Sequence, residues 1–181
     1  LDGHNITYEG SNLGLGAGSE DAGEFDMYLH NTKITTGGNL AAGTLGKLSI
    51  SDADFVVGNA NHETSDPDNV YLYANELIQV NDLDFTGSRL DDVYMEAITI
   101  NLNNITFPAG SDLMFRSKNG TVDFDTYSNP TVGAVNFTNV TYEGQGKITQ
   151  DSLNEVNSGY NSTFSLPNGT PAIKIRKQYH D

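Results

Sequence analysis

Closely spaced aspartates are the side chains of this sequence best suited to chemistry. They occur as four pairs, Asp52/Asp54, Asp82/Asp84, Asp91/Asp92 and Asp123/Asp125. Two carboxylates flanking a glycosidic bond can cleave it, because one donates a proton while the other activates water or attacks the sugar. Asp54 and Asp84, however, alternate with apolar residues, which places them on the outer face of a strand. The pairs therefore predict a solvated surface, with polysaccharide hydrolysis as the lesser alternative.

Elimination chemistry would instead require basic groups that remove a proton and stabilise an enolate. The basic residues of the central segment are few and form no evident cluster: Arg89, Arg116, Lys118 and Lys147. The absence of cysteine excludes thiol catalysis, thiolate metal sites and disulfides. The sequence thus contains no catalytic motif, and we expect that the protein is not an enzyme.

Hard oxygen ligands for a cation are concentrated in one acidic segment, at Glu63, Asp66, Asp68 and Asn69. Calcium prefers such ligands, but their spacing matches neither the EF-hand loop nor the glycine-rich nonapeptide repeat. The segment predicts a solvated loop and no cofactor, with calcium as the alternative. Just after this segment, Tyr71 and Tyr73 share one face of a strand. On that face they pack in the core, form a ladder on the outer surface, or stack against a sugar ring.

Composition limits the partners of the chain. Its 181 residues include 9 basic and 24 acidic side chains, a formal charge of −15. So acidic a protein is a poor ligand for nucleic acid, which requires clustered Lys and Arg. No stretch approaches 18 uninterrupted apolar residues, so no membrane span is expected. An apolar fraction of 36% is enough for the core of one domain, which we assign to residues 1–181.

An internal repeat organises the sequence. Apolar residues alternate, an Asn or Asp interrupts them, the alternation resumes, and a glycine usually follows. The best copies are Leu48-x-Ile50-x-Asp52-Ala53-x-Phe55, Ile78-x-Val80-x-Asp82-Leu83-x-Phe85, Ile100-x-Leu102-x-Asn104-Ile105-x-Phe107 and Val135-x-Phe137-x-Asn139-Val140-x-Tyr142. Weaker copies are centred on Asn5 and Asn31. The interrupting residues are therefore Asn5, Asn31, Asp52, Asp82, Asn104 and Asn139, separated by 26, 21, 30, 22 and 35 residues.

The interruption predicts a corner. In a straight strand, one extra residue would turn every later side chain to the opposite face. If the chain bends at that residue, both halves can face one interior, and Asn and Asp tolerate the left-handed conformation that such a bend needs. Each interval then corresponds to one coil. The sequence predicts an all-β fold, a parallel β-helix (β-solenoid) of about six coils with variable surface loops.

Several segments lie outside the repeat. Asn119-Gly120 is a strong turn signal, and it predicts one inserted hairpin with arms at 113–115 and 122–124. Residues 14–23 and 59–69 are rich in Gly, Asn and acids and predict loops. A short helical turn is expected at 151–156, with Asp151 as its N-cap. Residues 172–179 alternate apolar and basic side chains, as an edge strand does.

The repeats resemble a family, the bacterial secreted parallel β-helix proteins, which include surface adhesins and extracellular filament proteins. The resemblance is architectural and rests on segments such as Ile105–Ser111 and Val135–Tyr142. It implies a scaffold used for adhesion, fibres or polysaccharide cleavage. β-Helix polygalacturonases add Gly-His-Gly and Arg-x-Lys motifs, and neither occurs around His4, His30, His62 or His180. Because the chain begins at Leu1, we expect an extracellular protein whose signal peptide has been removed.

The two ends of the predicted solenoid differ in charge. Residues 1–32 contain six acids and no Lys or Arg, whereas Lys174, Arg176 and Lys177 lie among the last ten residues. Solenoids need caps, since an open coil exposes core and unpaired backbone, yet the first repeat begins at Leu1. We therefore predict head-to-tail self-assembly, which generates a fibre. The predicted interface comprises Leu1, Ile6, Tyr8, Glu9, Ile173, Lys174, Ile175, Arg176, Lys177 and Tyr179.

The sequence leaves three functional hypotheses. The first is a structural subunit of an extracellular filament, whose partners are copies of itself. The second is one segment of an adhesin that binds glycans through residues 14–23, 59–69 or 113–124. The third is a polysaccharide lyase or hydrolase.

Overall fold

The computed structural model describes residues 1–18, 25–58, 68–108, 112–117, 134–142, 148–152, 161–165 and 173–177. The strands of its first half are β1 (Asp2–His4), β2 (Thr7–Gly10), β3 (Leu13–Ala17), β4 (Met27–His30), β5 (Lys33–Thr36), β6 (Leu40–Thr44), β7 (Lys47–Val57) and β8 (Asp68–Ala74). Those of the second half are β9 (Leu77–Asp84), β10 (Leu90–Ala97), β11 (Thr99–Phe107), β12 (Asp112–Ser117), β13 (Ala134–Tyr142), β14 (Ile148–Ser152), β15 (Asn161–Ser165) and β16 (Ile173–Lys177).

The strands stack into two parallel sheets. The first sheet follows the order β1-β4-β7-β9-β11-β13-β15; in addition, β5 pairs with the second half of β7, and β2 pairs with β5. The second sheet follows the order β3-β6-β8-β10-β12-β14-β16. One strand of the second sheet follows each pass through the first, so the chain winds as a solenoid. The predicted fold class is confirmed, with seven coils where the repeat indicated about six.

The six interrupting residues of the repeat have a left-handed backbone. Their φ values lie between 50° and 56°, and they are the non-glycine residues with positive φ that the structure describes: Asn5, Asn31, Asp52, Asp82, Asn104 and Asn139. Their side chains form a ladder along the corner, in which Asn104 Nδ2 donates to Asp82 Oδ1 at 3.0 Å and Asn139 Nδ2 donates to Asn104 Oδ1 at 2.8 Å. The bend keeps both halves of each long strand facing one interior.

The interior is a continuous apolar core, made of the inward residues of both sheets. Phenylalanines stack along it from coil to coil. The ring centroids of Phe85 and Phe107 lie 5.7 Å apart, and those of Phe107 and Phe115 lie 5.9 Å apart. Phe115 belongs to the second sheet and also contacts Phe137 of the first sheet at 5.0 Å. The aromatic stack therefore connects the two sheets as well as successive coils.

The seventh coil, which the repeat did not reveal, consists of β15 and β16. Phe137 pairs with Ser162 and Val140 with Phe164, so β15 has one residue fewer than β13 across the bend. Without the extra residue there is no Asn or Asp corner for a pattern search to find. In the second sheet the seventh coil contributes β16, which pairs with β14. This strand falls within the predicted edge strand at 172–179.

Three local predictions need correction. Both edges of β12 are occupied by parallel neighbours, β10 and β14, so Leu113–Phe115 is a regular coil strand and not one arm of a projecting hairpin. Leu113 and Phe115 are buried in the core, which favours the coil strand, while Asn119-Gly120 and the second predicted arm at 122–124 lie outside the described residues. Asp151 belongs to β14, so it does not begin a helical turn. The predicted loops are shorter than expected, because 14–17 and 68–69 are in strands.

Candidate functional surfaces

The first coil, β1 to β3, exposes both its strand edges and its inward side chains. Among the residues that the structure describes, each of its strands pairs on one side only, β1 with β4, β2 with β5 and β3 with β6. Leu1 is 53% exposed and Ile6 is 44% exposed. Tyr8, Leu13, Leu15 and Ala17 pack against the core but are only partly buried. This end combines apolar surface with unpaired backbone groups, and both gain from a further coil.

At the opposite end, backbone register places the basic residues. Ile173 and Ile175 of β16 continue inward columns, beside Ile148 and Gln150 of β14. Lys174 and Arg176 continue outward columns, beside Thr149 and Asp151. Lys177 lies beside Ser152, and Tyr179 lies outside the described residues.

The charges of the two ends lie on different sheets. Asp2 and Glu9 are exposed on the first sheet, at β1 and β2. Lys174 and Arg176 lie on the second sheet, whose first-coil strand β3 carries no charge. The acidic and basic residues of the two ends therefore do not lie in register with one another, a distinction that the sequence did not reveal.

Two of the aspartate pairs meet on the outer surface of the corner. Asp54 pairs in register with Asp84, and with Asp52 and Asp82 they line an open groove of about 750 Å³. Lys33 Nζ lies 3.7 Å from Asp54 Oδ2. All four aspartates are exposed, and the described residues contain no group of three His, Cys, Asp or Glu side chains that could hold a metal.

A smaller pocket of about 370 Å³ lies on the first sheet near its open end, and His4 and His30 line it. Their rings meet edge to face at 5.5 Å, and His4 Nε2 lies 2.7 Å from Asp2 Oδ1. His30 Nδ1 lies 2.8 Å from Ser51 Oγ and 3.5 Å from Asp52 Oδ2. Because one nitrogen faces both the hydroxyl and the carboxylate, these groups do not form a nucleophilic triad, in which the two partners use different ring nitrogens.

Tyrosines form a ridge on the outer face of the second sheet. Tyr71 is 42% exposed, and its ring lies 6.5 Å from that of Tyr94 in the next coil. Tyr94 Oη donates to Glu96 Oε2 at 2.5 Å, and Arg116 Nη1 lies 3.4 Å from Glu96 Oε2. Burial and the hydrogen bond to Glu96 raise the pKa of the Tyr94 hydroxyl above its usual value. Tyr71 therefore belongs to an outer ladder, one of the alternatives left by the sequence, and not to the core.

A second ladder, absent from the sequence predictions, runs along the start of four strands of the second sheet, β3, β6, β8 and β10. Asn12 Oδ1 accepts the backbone N–H of Asn39, Asn39 Oδ1 accepts that of Asn69, and Asn69 Oδ1 accepts that of Asp92. Asn69, one of the candidate calcium ligands, thus uses its side-chain oxygen within the scaffold. Glu63 and Asp66 lie outside the described residues, and Asp68 begins β8. The available signal was an Asn immediately before an inward apolar residue, at Asn12, Asn39 and Asn69.

Asp92, whose backbone N–H donates to Asn69, carries a carboxyl group whose effect on stability should depend on pH. Burial raises its pKa, and the Asp91 and Asp112 carboxylates raise it further. The folded state therefore loses stability as pH rises from the usual pKa of the carboxyl through the raised one. Because Asp92 is solvent-exposed, its effect is small. We expect Asp92→Asn to raise the free energy of unfolding at pH 7, measured by urea denaturation, by only about 0.3–0.5 kcal/mol. The gain should vanish below about pH 3, where the carboxyl is protonated in both states.

The control for this prediction is Asp91→Asn, which removes the same charge from an exposed neighbour. It should produce a smaller change between the two pH values. An Asp92→Asn gain that persists unchanged at pH 3 would mean that the carboxylate charge is not its cause.

Comparisons of the chain with family models, curated proteins and solved structures find no match. No helix among the described residues is long and apolar enough to cross a membrane. The functional conclusion therefore rests on the surfaces described above.

Proposed function

We propose that the chain is a structural subunit of an extracellular filament, built by head-to-tail stacking of its solenoid ends. The observation that carries the proposal is the first coil, whose three strands have no partner on one side within the described part of the chain and whose Leu1 and Ile6 are about half exposed. A coil from another copy would bury these groups and extend both parallel sheets. The extracellular setting is supported by the acidic composition and the lack of cysteine.

Polymerisation follows from the inequality of the two ends. The first coil is acidic and the last strand is basic, so a first coil attracts the last coil of another copy and repels a second first coil. Contacts between unlike surfaces do not close into a dimer; repeated along one axis, they generate a fibre. The outer face of the first sheet keeps such a fibre soluble with exposed Asp, Asn and Thr side chains.

The test is charge reversal at the basic end. Changing Lys174, Arg176 and Lys177 together to Glu should abolish fibres in negative-stain electron microscopy and raise the concentration needed for sedimentation at least about tenfold. The β-rich circular dichroism should remain. Raising the salt to 1 M shortens the screening length to about 3 Å and should narrow the difference between variant and parent.

A matched control reverses charge away from the ends. Lys33→Glu with Lys47→Glu changes two exposed cations on the second and third coils, where surface ion pairs contribute little. This variant should assemble as the parent does. Fibres that are indifferent to the triple change would refute the electrostatic component, and a monodisperse parent protein would refute the filament.

The alternative function, glycan binding by an adhesin segment, is favoured by one observation. Tyr71 and Tyr94 form an exposed aromatic surface flanked by the Glu96–Arg116 pair, and sugar rings stack on such surfaces. If this surface binds glycans, Tyr71→Ala should weaken retention on a polysaccharide affinity gel at least about fivefold, because the most exposed ring is lost. Tyr28→Ala, an equally exposed tyrosine on the first sheet, serves as the control.

A further inference from the structure

We propose a specific register for the contact between copies, an inference that rests on the proposed filament. Strand β16 of one copy lies parallel beside β3 of the next, with Ile173 opposite Leu13, Lys174 opposite Gly14, Ile175 opposite Leu15 and Arg176 opposite Gly16. The contact thus continues the second sheet without a break in its columns.

Two inward columns of this register are apolar on both sides of the contact, and the third, at the strand ends, places Lys177 beside Ala17. In β3, Leu13 and Leu15 pack against the core, while Gly14 and Gly16 face outward. In β16, Ile173 continues the column of Leu113 and Ile148, and Ile175 continues that of Phe115 and Gln150. Placing Ile173 on Leu13 and Ile175 on Leu15 therefore extends the core across the junction.

Neighbouring registers are worse for identifiable reasons. A slip of one residue would set Lys174 and Arg176 against the core, because strand side chains alternate between faces. In the proposed register Lys177 falls beside Ala17, the last residue of β3, whereas a slip of two residues places it beside Leu15, in the middle of that apolar strand. The opposite slip leaves Leu13 with no residue of β16 beside it, so an apolar contact and backbone hydrogen bonds are lost at that position.

The outward glycines of β3 provide space for the basic side chains. No heavy atom lies within 4 Å of the position that a Cβ would occupy on Gly14 or Gly16. The next strand continues this bare area with Ala41 and Gly43, each in register with one of the glycines. Lys and Arg stems cover exposed backbone favourably while their charged ends remain in water. The long side chains of Lys174 and Arg176 from the adjoining copy therefore fit over this area of small residues better than over a row of large side chains.

The first sheet is compatible with the same register. The column of Gly3, Leu29 and Phe137 ends at Ser162 of β15, so a small residue meets Gly3 at the junction. A Cβ on Gly3 would lie 2.8 Å from Ile6 Cδ1, so a larger residue at this position requires the exposed Ile6 side chain to shift. Phe164, which continues the column of Val140, falls opposite Ile6.

Cysteine cross-linking tests the register directly, because the chain has no cysteine of its own. Two single variants, Gly16→Cys and Arg176→Cys, are mixed and oxidised under assembling conditions. Opposed residues on adjacent strands are about 4.8 Å apart, within the range of a disulfide. The mismatched pair, Gly14→Cys with Arg176→Cys, lies about 8 Å apart and outside that range. We expect the matched pair to form disulfide-linked dimers at least about tenfold faster.

The outcomes separate the register from the filament. Assembly of both mixtures with equal cross-linking, or with faster cross-linking of the mismatched pair, overturns the register but not the filament. Absence of parent assembly in sedimentation, with no cross-linking in either mixture, overturns both.

As a second measurement, Gly14→Asp with Gly16→Asp should lower the concentration needed for assembly roughly 2- to 30-fold by pairing with Lys174 and Arg176. The uncharged control, Gly14→Asn with Gly16→Asn, should not, and equal effects of Asp and Asn would also overturn the register.

Discussion

Replacing Phe115 by alanine is expected to lower the free energy of unfolding by about 3–5 kcal/mol, as measured by urea denaturation. Phe115 is fully buried, and its ring contacts Phe107 at 5.9 Å and Phe137 at 5.0 Å. The substitution leaves a cavity where the two sheets meet. Such a loss is a large fraction of the total stability of a domain of this size, typically about 5–15 kcal/mol.

The matched control is Phe25→Ala, because Phe25 is 47% exposed. Its cost should stay below about 1 kcal/mol, since little apolar surface returns to water. Coils of a solenoid interact with their neighbours only, so amide exchange in Phe115→Ala should accelerate most in β11 to β13 and least in β4 and β6. A cost below about 1 kcal/mol for Phe115→Ala would show that its ring does not join the two sheets.

Asn104→Val is expected to destabilise the protein by about 2–3 kcal/mol in the same measurement. Asn104 has φ of 53°, a conformation that is especially unfavourable for a β-branched residue. The change also removes the hydrogen bonds to Asp82 and from Asn139. Asn103→Val, one residue earlier on the extended strand, should cost less than about 1 kcal/mol, because valine favours strands and only the bond to Asn81 is lost.

A third variant separates the two contributions at the corner. Asn104→Gly accepts positive φ without strain but also lacks the ladder amide, so it should cost less than Asn104→Val. Equal costs for Asn103→Val and Asn104→Val would place the corner elsewhere. Equal costs for the glycine and valine variants would assign the effect to the lost hydrogen bonds and not to the backbone.

The corners were predictable from sequence because two independent constraints coincide there. The shift in alternation requires one residue that does not point inward, and the left-handed backbone restricts that residue to Asn, Asp or Gly. The ladder of Asn12, Asn39 and Asn69 lacked the first constraint. Asn12 and Asn39 precede a strand and Asn69 is the second residue of β8, so an Asn at these positions resembles the Asn of any turn. The seventh coil was missed because β15 has no corner residue at all.

The location of charge was less predictable than the fold. The acidic and basic ends are visible in the sequence. Which sheet carries each charged residue, however, depends on the number of residues that connect the two sheets in each coil. The predicted hairpin at 113–124 illustrates a related limit. A two-residue turn signal reports local backbone preference, whereas the position of Leu113 and Phe115 is decided by core columns formed with residues far away in the sequence.

The amide ladders all run in one direction. Asn31 donates to Asn5, Asn101 to Gln79, Asn103 to Asn81, Asn104 to Asp82, Asn136 to Asn101 and Asn139 to Asn104, in each case from a later coil to an earlier one. Aligned side-chain amides add their dipoles along the solenoid axis, as peptide dipoles add along a helix. A rod of stacked copies would accumulate this moment with length. It would orient in an electric field, and its birefringence would decay more slowly as the rods grow, which makes field alignment a length gauge for the assembly.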